Sequence, residues 1–212
     1  MCPCQINISQ ARIKIDRFGM KIEKEITVKV NCNYDKLHKD LLKQGFNIVE
    51  QYDLNDIYML RNDIDIFSMN ILDLLKQCIL VRDIVGITKK LVYKYKKYDT
   101  DGRILEQGKT ECEITNIDNA VEFMRKLNYK ELIKIYDKCI VYTDNKIQIA
   151  VQLVNNKYIF IEMEDTSDHV NTTFNSIEEM ISAFESYDID YDKTSYFVKK
   201  AELVFNDNYI DK

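Results

Sequence analysis

Alternation of apolar and ionisable residues at every second position is the feature that most constrains the fold of this chain. Between residues 21 and 30, Ile26 and Val28 fall on one side and Glu25 and Lys29 on the other. Successive side chains of a strand point to opposite faces, so this run predicts a strand with one apolar and one charged face. A sheet built from such strands follows if the pattern recurs.

Seven further strands are predicted from the same alternation or from apolar runs between turn-forming residues. They cover residues 46–60, 78–85, 89–98, 104–115, 129–142, 146–154 and 158–164. Asp99-Thr100-Asp101-Gly102 separates two of them and is typical of a hairpin turn.

Helices are predicted where apolar residues recur at helical spacing. They cover residues 34–42, 116–127, 176–184 and 195–205, and an amphipathic stretch ends near residue 76. Gly45 marks the end of the first helix. Ser176, three residues before Glu179, forms a capping box that marks the start of another. Strands and helices in this order predict an α+β fold.

Ionisable residues share one strand face in three places. These sets are Glu23, Glu25 and Lys29; Lys109, Glu111 and Glu113; and Glu162 and Glu164. The usual meaning of such alternation is a solvated outer face of a half-buried sheet. The alternative is that amphipathic helices cover the apolar faces, for example at Ile149 and Val151, so that the charged faces turn inward.

An inward charged face would need counter-ions, because unpaired charges are costly in a site shielded from water. Mg²⁺ suits the glutamates, since it takes a few carboxylates together with phosphate oxygens. A polyphosphate suits the lysines and arginine. The inward alternative therefore predicts a cavity for a metal ion and a polyphosphate.

Several function classes are disfavoured by composition. The net charge of -5 argues against a protein that coats nucleic acid. With no apolar run as long as a membrane span and no signal-peptide layout, we expect no membrane partner and a cytoplasmic location. Six cysteines lack paired metal-ligand spacing, and reduced thiols are expected. Only two histidines are present, and neither has a nucleophile near it in the sequence.

The first 19 residues share no pattern with the rest of the chain and include Cys2-Pro3-Cys4. Met20 is a candidate start, which would make residues 1–19 a leader or tag; a native segment is the alternative left open. Residues 20–212 are predicted to form a single domain that includes C-terminal helices at about 176–205.

Seven short motifs, in order, resemble those of the CYTH family across residues 21–205. They are Glu25-Ile26-Thr27-Val28-Lys29, Asp56-Ile57-Tyr58, Arg82, Tyr93-Lys94, Lys109-Thr110-Glu111-Cys112-Glu113, Lys138, and the segment from Gln152 through Phe160 and Glu162 to Glu164. Ser195-Tyr196 also resembles the start of the family's terminal helix. The chain departs from the family pattern at four positions: Thr27 and Gln152 stand where acids are expected, and Ile84 and Ile140 where arginines are expected.

The resemblance implies a closed antiparallel eight-stranded β-barrel or tunnel with helices packed outside. It implies that phosphates are held by Lys29, Arg82, Lys94, Lys109 and Lys138. It also implies that Mg²⁺ or Mn²⁺ is bound by Glu25, Glu111, Glu113, Glu162 and Glu164, with Glu25, Lys29 and Glu111 as catalytic residues. An isoleucine cannot replace the two-pronged phosphate contact of an arginine, so weaker triphosphate binding is expected than in a full-motif member.

Three functions follow from the resemblance and remain open at this point. The first is metal-dependent hydrolysis of a small-molecule triphosphate, either inorganic triphosphate or an organic or nucleoside triphosphate. The second is class IV adenylate cyclase activity, and the third is a non-catalytic module that binds polyphosphate or nucleotides. A homodimer is also left open.

Overall fold

The structure, a computed structural model, describes residues 21–99 and 104–210. The predicted leader and most of the predicted hairpin turn lie outside these residues. Within the described ranges, no helix is long and apolar enough to cross a membrane.

The described strands form one antiparallel sheet. They are β1 (Lys21–Glu23), β2 (Glu25–Lys29), β3 (Asn47–Arg61), β4 (Ile79–Ile84), β5 (Thr88–Tyr98), β6 (Ile104–Glu113), β7 (Tyr129–Thr143), β8 (Gln148–Val154) and β9 (Tyr158–Glu164). Their order in the sheet is β1-β6-β5-β4-β3-β7-β8-β9-β2. Since only Lys24 separates β1 from β2, the sheet has eight strands if those two count as one. The predicted α+β class and the antiparallel pairing are confirmed.

Within residues 21–99 and 104–210, five helices accompany the sheet: α1 (Tyr34–Lys43), α2 (Ile71–Lys76), α3 (Ile117–Lys126), α4 (Ile177–Glu185) and α5 (Lys200–Tyr209). Local capping explains where two of them begin. The Asn33 side chain accepts a hydrogen bond from the backbone N–H of Lys36, and Ser176 accepts one from Glu179. Gly45 follows α1 at φ +90°, a backbone conformation that side chains other than glycine disfavour. The predicted limits of α1, α3 and α4 are confirmed within two residues.

The ends of the sheet meet around the N-terminal strand, but not as a simple closed barrel. β1 pairs with β6, whereas β2 pairs with β9. The other edge of β2 bonds to the C-terminal segment: Thr27 N–H donates to Tyr196 O at 2.8 Å, and Val198 N–H donates to Thr27 O at 3.0 Å. The sheet is therefore a curled half-barrel. A fully closed barrel is not confirmed, because a non-strand segment takes the bonding edge of β2.

The last predicted helix is wrong at its start. Residues 195–199 are not helical, and α5 begins at Lys200. Phe197 forms an isolated parallel bridge with Thr27. Pairing with the edge of β2 satisfies the backbone groups that a longer helix would have used, so tertiary contacts override the local preference.

Helices pack on both faces of the sheet, and this placement defines the cavity. On the outer face, α1 and α4 bury Leu41 and Phe184 against the apolar side of β2 and β8. On the concave face, α2 and α5 pack Leu74 and Phe205 against Leu60 and Phe160. Leu60 and Asp56 are four residues apart on β3, so their side chains point to the same face. The two helices therefore seal one end of the face that carries the charges.

Candidate functional site

The concave face of the sheet holds a cavity of about 430 Å³ beside the sealed end. Seven carboxylates and four cations line it. The carboxylates are Glu25, Glu50, Asp56, Asp137, Glu162, Glu164 and Asp168, and the cations are Arg82, Lys94, Lys109 and Lys200. Four members of the charged sets, Glu25, Lys109, Glu162 and Glu164, therefore line the cavity, which agrees with the less usual of the two interpretations of the sequence pattern.

Arg82 and Asp56 form a two-pronged ion pair in the wall of the cavity. They are directly opposite each other on β4 and β3. Arg82 Nε donates to Asp56 Oδ1 at 2.7 Å, and Nη2 donates to Oδ2 at 2.6 Å. Burial acts to lower the pKa of Arg82, but the hydrogen bonds and charge of Asp56 outweigh it and raise that pKa. Two donors are used by Asp56, and a guanidinium has five, so Arg82 retains N–H groups for a ligand.

Lys94 lies on β5 directly opposite Lys109 on β6. Burial, together with the positive charges of Arg82 and Lys96, lowers the pKa of Lys94 to about 8. An anion close to this amine would offset that repulsion and favour the charged form. This wall of the cavity therefore concentrates positive charge.

Glu25 is the first residue of β2 and is held by groups from neighbouring strands. Lys96 Nζ donates to Glu25 Oε1 at 3.2 Å, and the Gln107 side chain donates to Oε2. Burial acts to raise the pKa of Glu25, but Lys96, Lys94, Gln107 and Lys200 together lower it to about 2. The carboxylate is therefore ionised over the whole neutral range.

Lys200, the first residue of α5, reaches into the cavity from the sealed end. Its Nζ lies 3.4 Å from Glu162 Oε2 and 3.6 Å from Asp137 Oδ2, and it donates to the side-chain oxygen of Gln152. Burial acts to lower the pKa of Lys200, but Glu162 and Asp137 outweigh it and raise that pKa. Sequence patterns assigned no role to Lys200 or Asp137.

The predicted site residues separate into two groups. Glu25, Arg82, Lys94, Lys109, Glu162 and Glu164 line the cavity. The other predicted residues, Lys29, Glu111, Glu113 and Lys138, are not among its lining residues.

Each residue of the second group lies in a different setting. Lys29 Nζ lies 5.4 Å from the centre of the Tyr158 ring. Glu111 pairs with Lys90 at 2.5 Å, and Glu113 is exposed at the end of β6. Lys138 is exposed and lines a separate shallow pocket with Gln51 and Asp53.

A smaller chamber of about 100 Å³ adjoins the cavity and shares Glu25, Lys94, Glu162 and Lys200 with it. Lys76, Lys96 and Lys199 add positive charge there. Lys76 and Lys199 lie 4.9 and 5.2 Å from the centre of the Tyr98 ring. This end of the site is thus basic, whereas the larger cavity carries an excess of carboxylates.

The predicted metal ligands do not form a ready-made metal site. Among the residues that the structure describes, no three His, Cys, Asp or Glu side chains form a group that could hold a metal ion. The carboxylates have the hard oxygens that Mg²⁺ prefers, but Glu25, Asp56 and Glu162 are each held by a cation of the chain itself.

Comparisons with known proteins agree with this fold. No protein-family model matches the chain. A Methanocaldococcus jannaschii protein named "Putative adenylate cyclase" is 25% identical over 171 residues, which cover 81% of this chain and 92% of that protein.

Two solved structures are similar to the chain over most of its length. One is a Hippeastrum protein described as a "putative adenylyl cyclase" with a dominant triphosphatase activity. It has a TM-score of 0.56 at 14% identity and covers 88% of this chain and 96% of its own. The other is a "putative adenylate cyclase" from Vibrio parahaemolyticus, with a TM-score of 0.53 at 14% identity, covering 86% of this chain and 97% of its own. With the ordered motifs and the curled sheet, these similarities support a resemblance to a CYTH-like family at 25% identity or less.

Proposed function

We propose that this cavity binds the triphosphate group of a small molecule and that the chain hydrolyses it. The observation that carries the proposal is the placement of Arg82, Lys94 and Lys109 on the adjacent strands β4, β5 and β6, all facing one cavity. A guanidinium binds phosphate oxygens through paired N–H groups, and the two ammonium groups bind them as point charges.

The excess of carboxylates bears on how a triphosphate would enter. Seven carboxylates against four cations would repel a bare polyanion. A substrate that arrives as its Mg²⁺ or Mn²⁺ complex carries less negative charge and can present the metal to carboxylates such as Glu164. We therefore propose that the metal–triphosphate complex, rather than the bare anion, is the substrate.

Hydrolysis in such a site depends mainly on positioning and on charge stabilisation. Glu25 is the one residue of the predicted catalytic set that reaches the cavity. A carboxylate with a pKa of about 2 is too weak a base to take a proton from water efficiently at neutral pH. In our proposal, Glu25 instead orients water or the substrate's metal ion, with Lys96 and Gln107 fixing its position.

The test uses the full-length chain with inorganic triphosphate, thiamine triphosphate and ATP, each with Mg²⁺, with Mn²⁺ and with a chelator. Phosphate release, cyclic AMP and calorimetric binding are measured in parallel. We expect metal-dependent phosphate release that is lost in Arg82→Met. If the chain instead forms cyclic AMP from ATP, its reaction is that of a cyclase and not of a hydrolase, as the name of the archaeal relative suggests. Binding without turnover would leave a non-catalytic module, and no binding at all would contradict the proposal.

A further inference from the structure

Three oxygen atoms lie close to one partly buried ammonium group at the sealed end of the cavity. Lys200 Nζ is 3.4 Å from Glu162 Oε2 and 3.6 Å from Asp137 Oδ2, and it donates to Gln152 Oε1. Asp137 is 2% exposed and Gln152 is 6% exposed. An ammonium group has three donors; Glu162 and Gln152 accept from Lys200, and Asp137 Oδ2 lies at ion-pair distance.

Lys200 is fixed in this position by the helix that begins with it. Val204 and Phe205, one turn further along α5, are buried against the apolar residues of the sealed end. The charge of Lys200 is therefore placed by the packing of α5 and not by a flexible loop.

One acceptor in this cluster is left over. Asp137 Oδ1 is buried and has no hydrogen-bond partner among the described residues. A buried acceptor without a partner is costly, and the Lys200 ammonium group lies against the other carboxylate oxygen, Oδ2. A divalent cation is not limited to three contacts and could use both Asp137 oxygens together with Glu162 and Gln152.

We propose that Lys200 is a resident counter-ion that fills a divalent-cation position formed by Asp137, Glu162 and Gln152. Removing its charge would open this position to Mn²⁺ or Mg²⁺. This inference deepens the proposed function, and its relevance to substrate binding rests on that function. In place of a bound metal ion, the chain fills this position with its own Lys200 ammonium group. Metal that accompanies the substrate would then be confined to the rest of the cavity, near Glu25 and Glu164.

The test measures binding of Mn²⁺ alone, from the electron paramagnetic resonance signal of the free ion, in the unmodified chain and in Lys200→Met. Methionine keeps most of the length of the side chain and removes its charge. The matched control is Lys157→Met, which loses the same charge and also loses a contact with α5, the 2.6 Å ion pair with Asp207. We expect Mn²⁺ to bind Lys200→Met at least about tenfold more tightly than either the control or the unmodified chain.

The double variant Lys200→Met with Asp137→Asn should lose this gain. If Lys200→Met unfolds without metal, Mn²⁺ should restore its circular dichroism spectrum, because a cation that binds only the folded chain stabilises it. Unchanged Mn²⁺ binding in a folded Lys200→Met, or a variant that stays unfolded at every Mn²⁺ concentration, would overturn the inference. No triphosphate is present, so failure here is distinct from failure of the proposed function.

Discussion

At the sealed end of the cavity, Lys200 faces Glu162 and Asp137, and the Asp137 side chain is only 3% exposed. Lys90 and Glu111, on β5 and β6 outside the residues that line the cavity, are called the rim here. They pair more closely, at 2.5 Å, but a third of the Glu111 side chain is exposed to solvent. The closer pair is not the more important one. The Asp137 carboxylate has lost its water and depends on its partner, whereas the Glu111 carboxylate keeps part of its water and its pair is screened.

Burial therefore separates residues that look equivalent in the sequence. Lys109 and Glu111 share one face of β6, yet only Lys109 lines the cavity. Removing a charge near the sealed end should lower both the free energy of unfolding and the affinity for triphosphate. Removing a charge at the rim or outside the cavity should change either quantity only slightly. Four experiments test this difference between the two regions.

The largest effect is expected for Arg82→Met in the cavity wall. It leaves the Asp56 carboxylate, which is 4% exposed, without its partner. Breaking a buried pair from one side costs about 3–5 kcal/mol, so the free energy of unfolding should fall by about that amount in urea titrations. Replacing both partners, in Arg82→Met with Asp56→Leu, should recover much of the loss. An Arg82→Met variant as stable as the unmodified chain would show that this wall is more hydrated than its burial indicates.

The fold was largely accessible from the sequence because its signals are local. Alternation and apolar runs indicate the strands, Ser176 indicates the start of a helix, and Gly45 indicates the end of another. The segment from Ser195 to Lys199 was not accessible in this way. Its backbone pairs with β2, which is remote in sequence, so no local pattern could reveal that α5 begins at Lys200.

The site was accessible only in part. Alternation shows which residues share a face, but not how far along a strand the cavity extends, so Lys109 and Glu113 look alike. The pairing of β3 with β7 has a register shift at Tyr58/Met59, and beyond it Asp137 lines the cavity while Lys138 lies on the outside. Lys200 comes from a helix whose docking depends on tertiary packing. In the sequence, Lys200 is marked only by the apolar helical pattern that follows it.

The second effect concerns pH and Lys94. Its pKa in the folded chain is lowered to about 8, so raising the pH from 7 to 9 removes most of its charge. Triphosphate affinity should therefore fall over this range by up to about tenfold, since a bound anion favours the protonated amine. The measurement is calorimetric titration of the unmodified chain and of Lys94→Arg, which stays charged throughout.

The ratio of the two affinities cancels the titration of the triphosphate itself. Lowering the pH below 7 should change this ratio little, because Lys94 is already protonated there. If this ratio is constant from pH 7 to pH 9, the charge of Lys94 does not contribute to triphosphate binding.

A smaller effect is expected at the rim. Lys90→Met removes the partner of Glu111, whose pKa is lowered by the hydrogen bond from Lys90. Exposed pairs contribute about 0.2–1 kcal/mol, so the free energy of unfolding should change by no more than that, and less at high salt. A loss comparable with that of Arg82→Met would mean that rim and wall are equally shielded from water.

The smallest effect is expected for Lys138→Met, measured against Lys109→Met. Lys109 lines the cavity, whereas Lys138 is exposed in a separate pocket beside Gln51 and Asp53. Losing one charge-assisted hydrogen bond costs about 1.5–3 kcal/mol, so Lys109→Met should weaken triphosphate binding by about tenfold or more. Lys138→Met should leave the affinity within about twofold, since water and salt screen a charge on the outer face. Equal losses in the two variants would restore Lys138 to the phosphate-binding set that the family motif predicts, and would require the chain to move Lys138 into the cavity when the ligand binds.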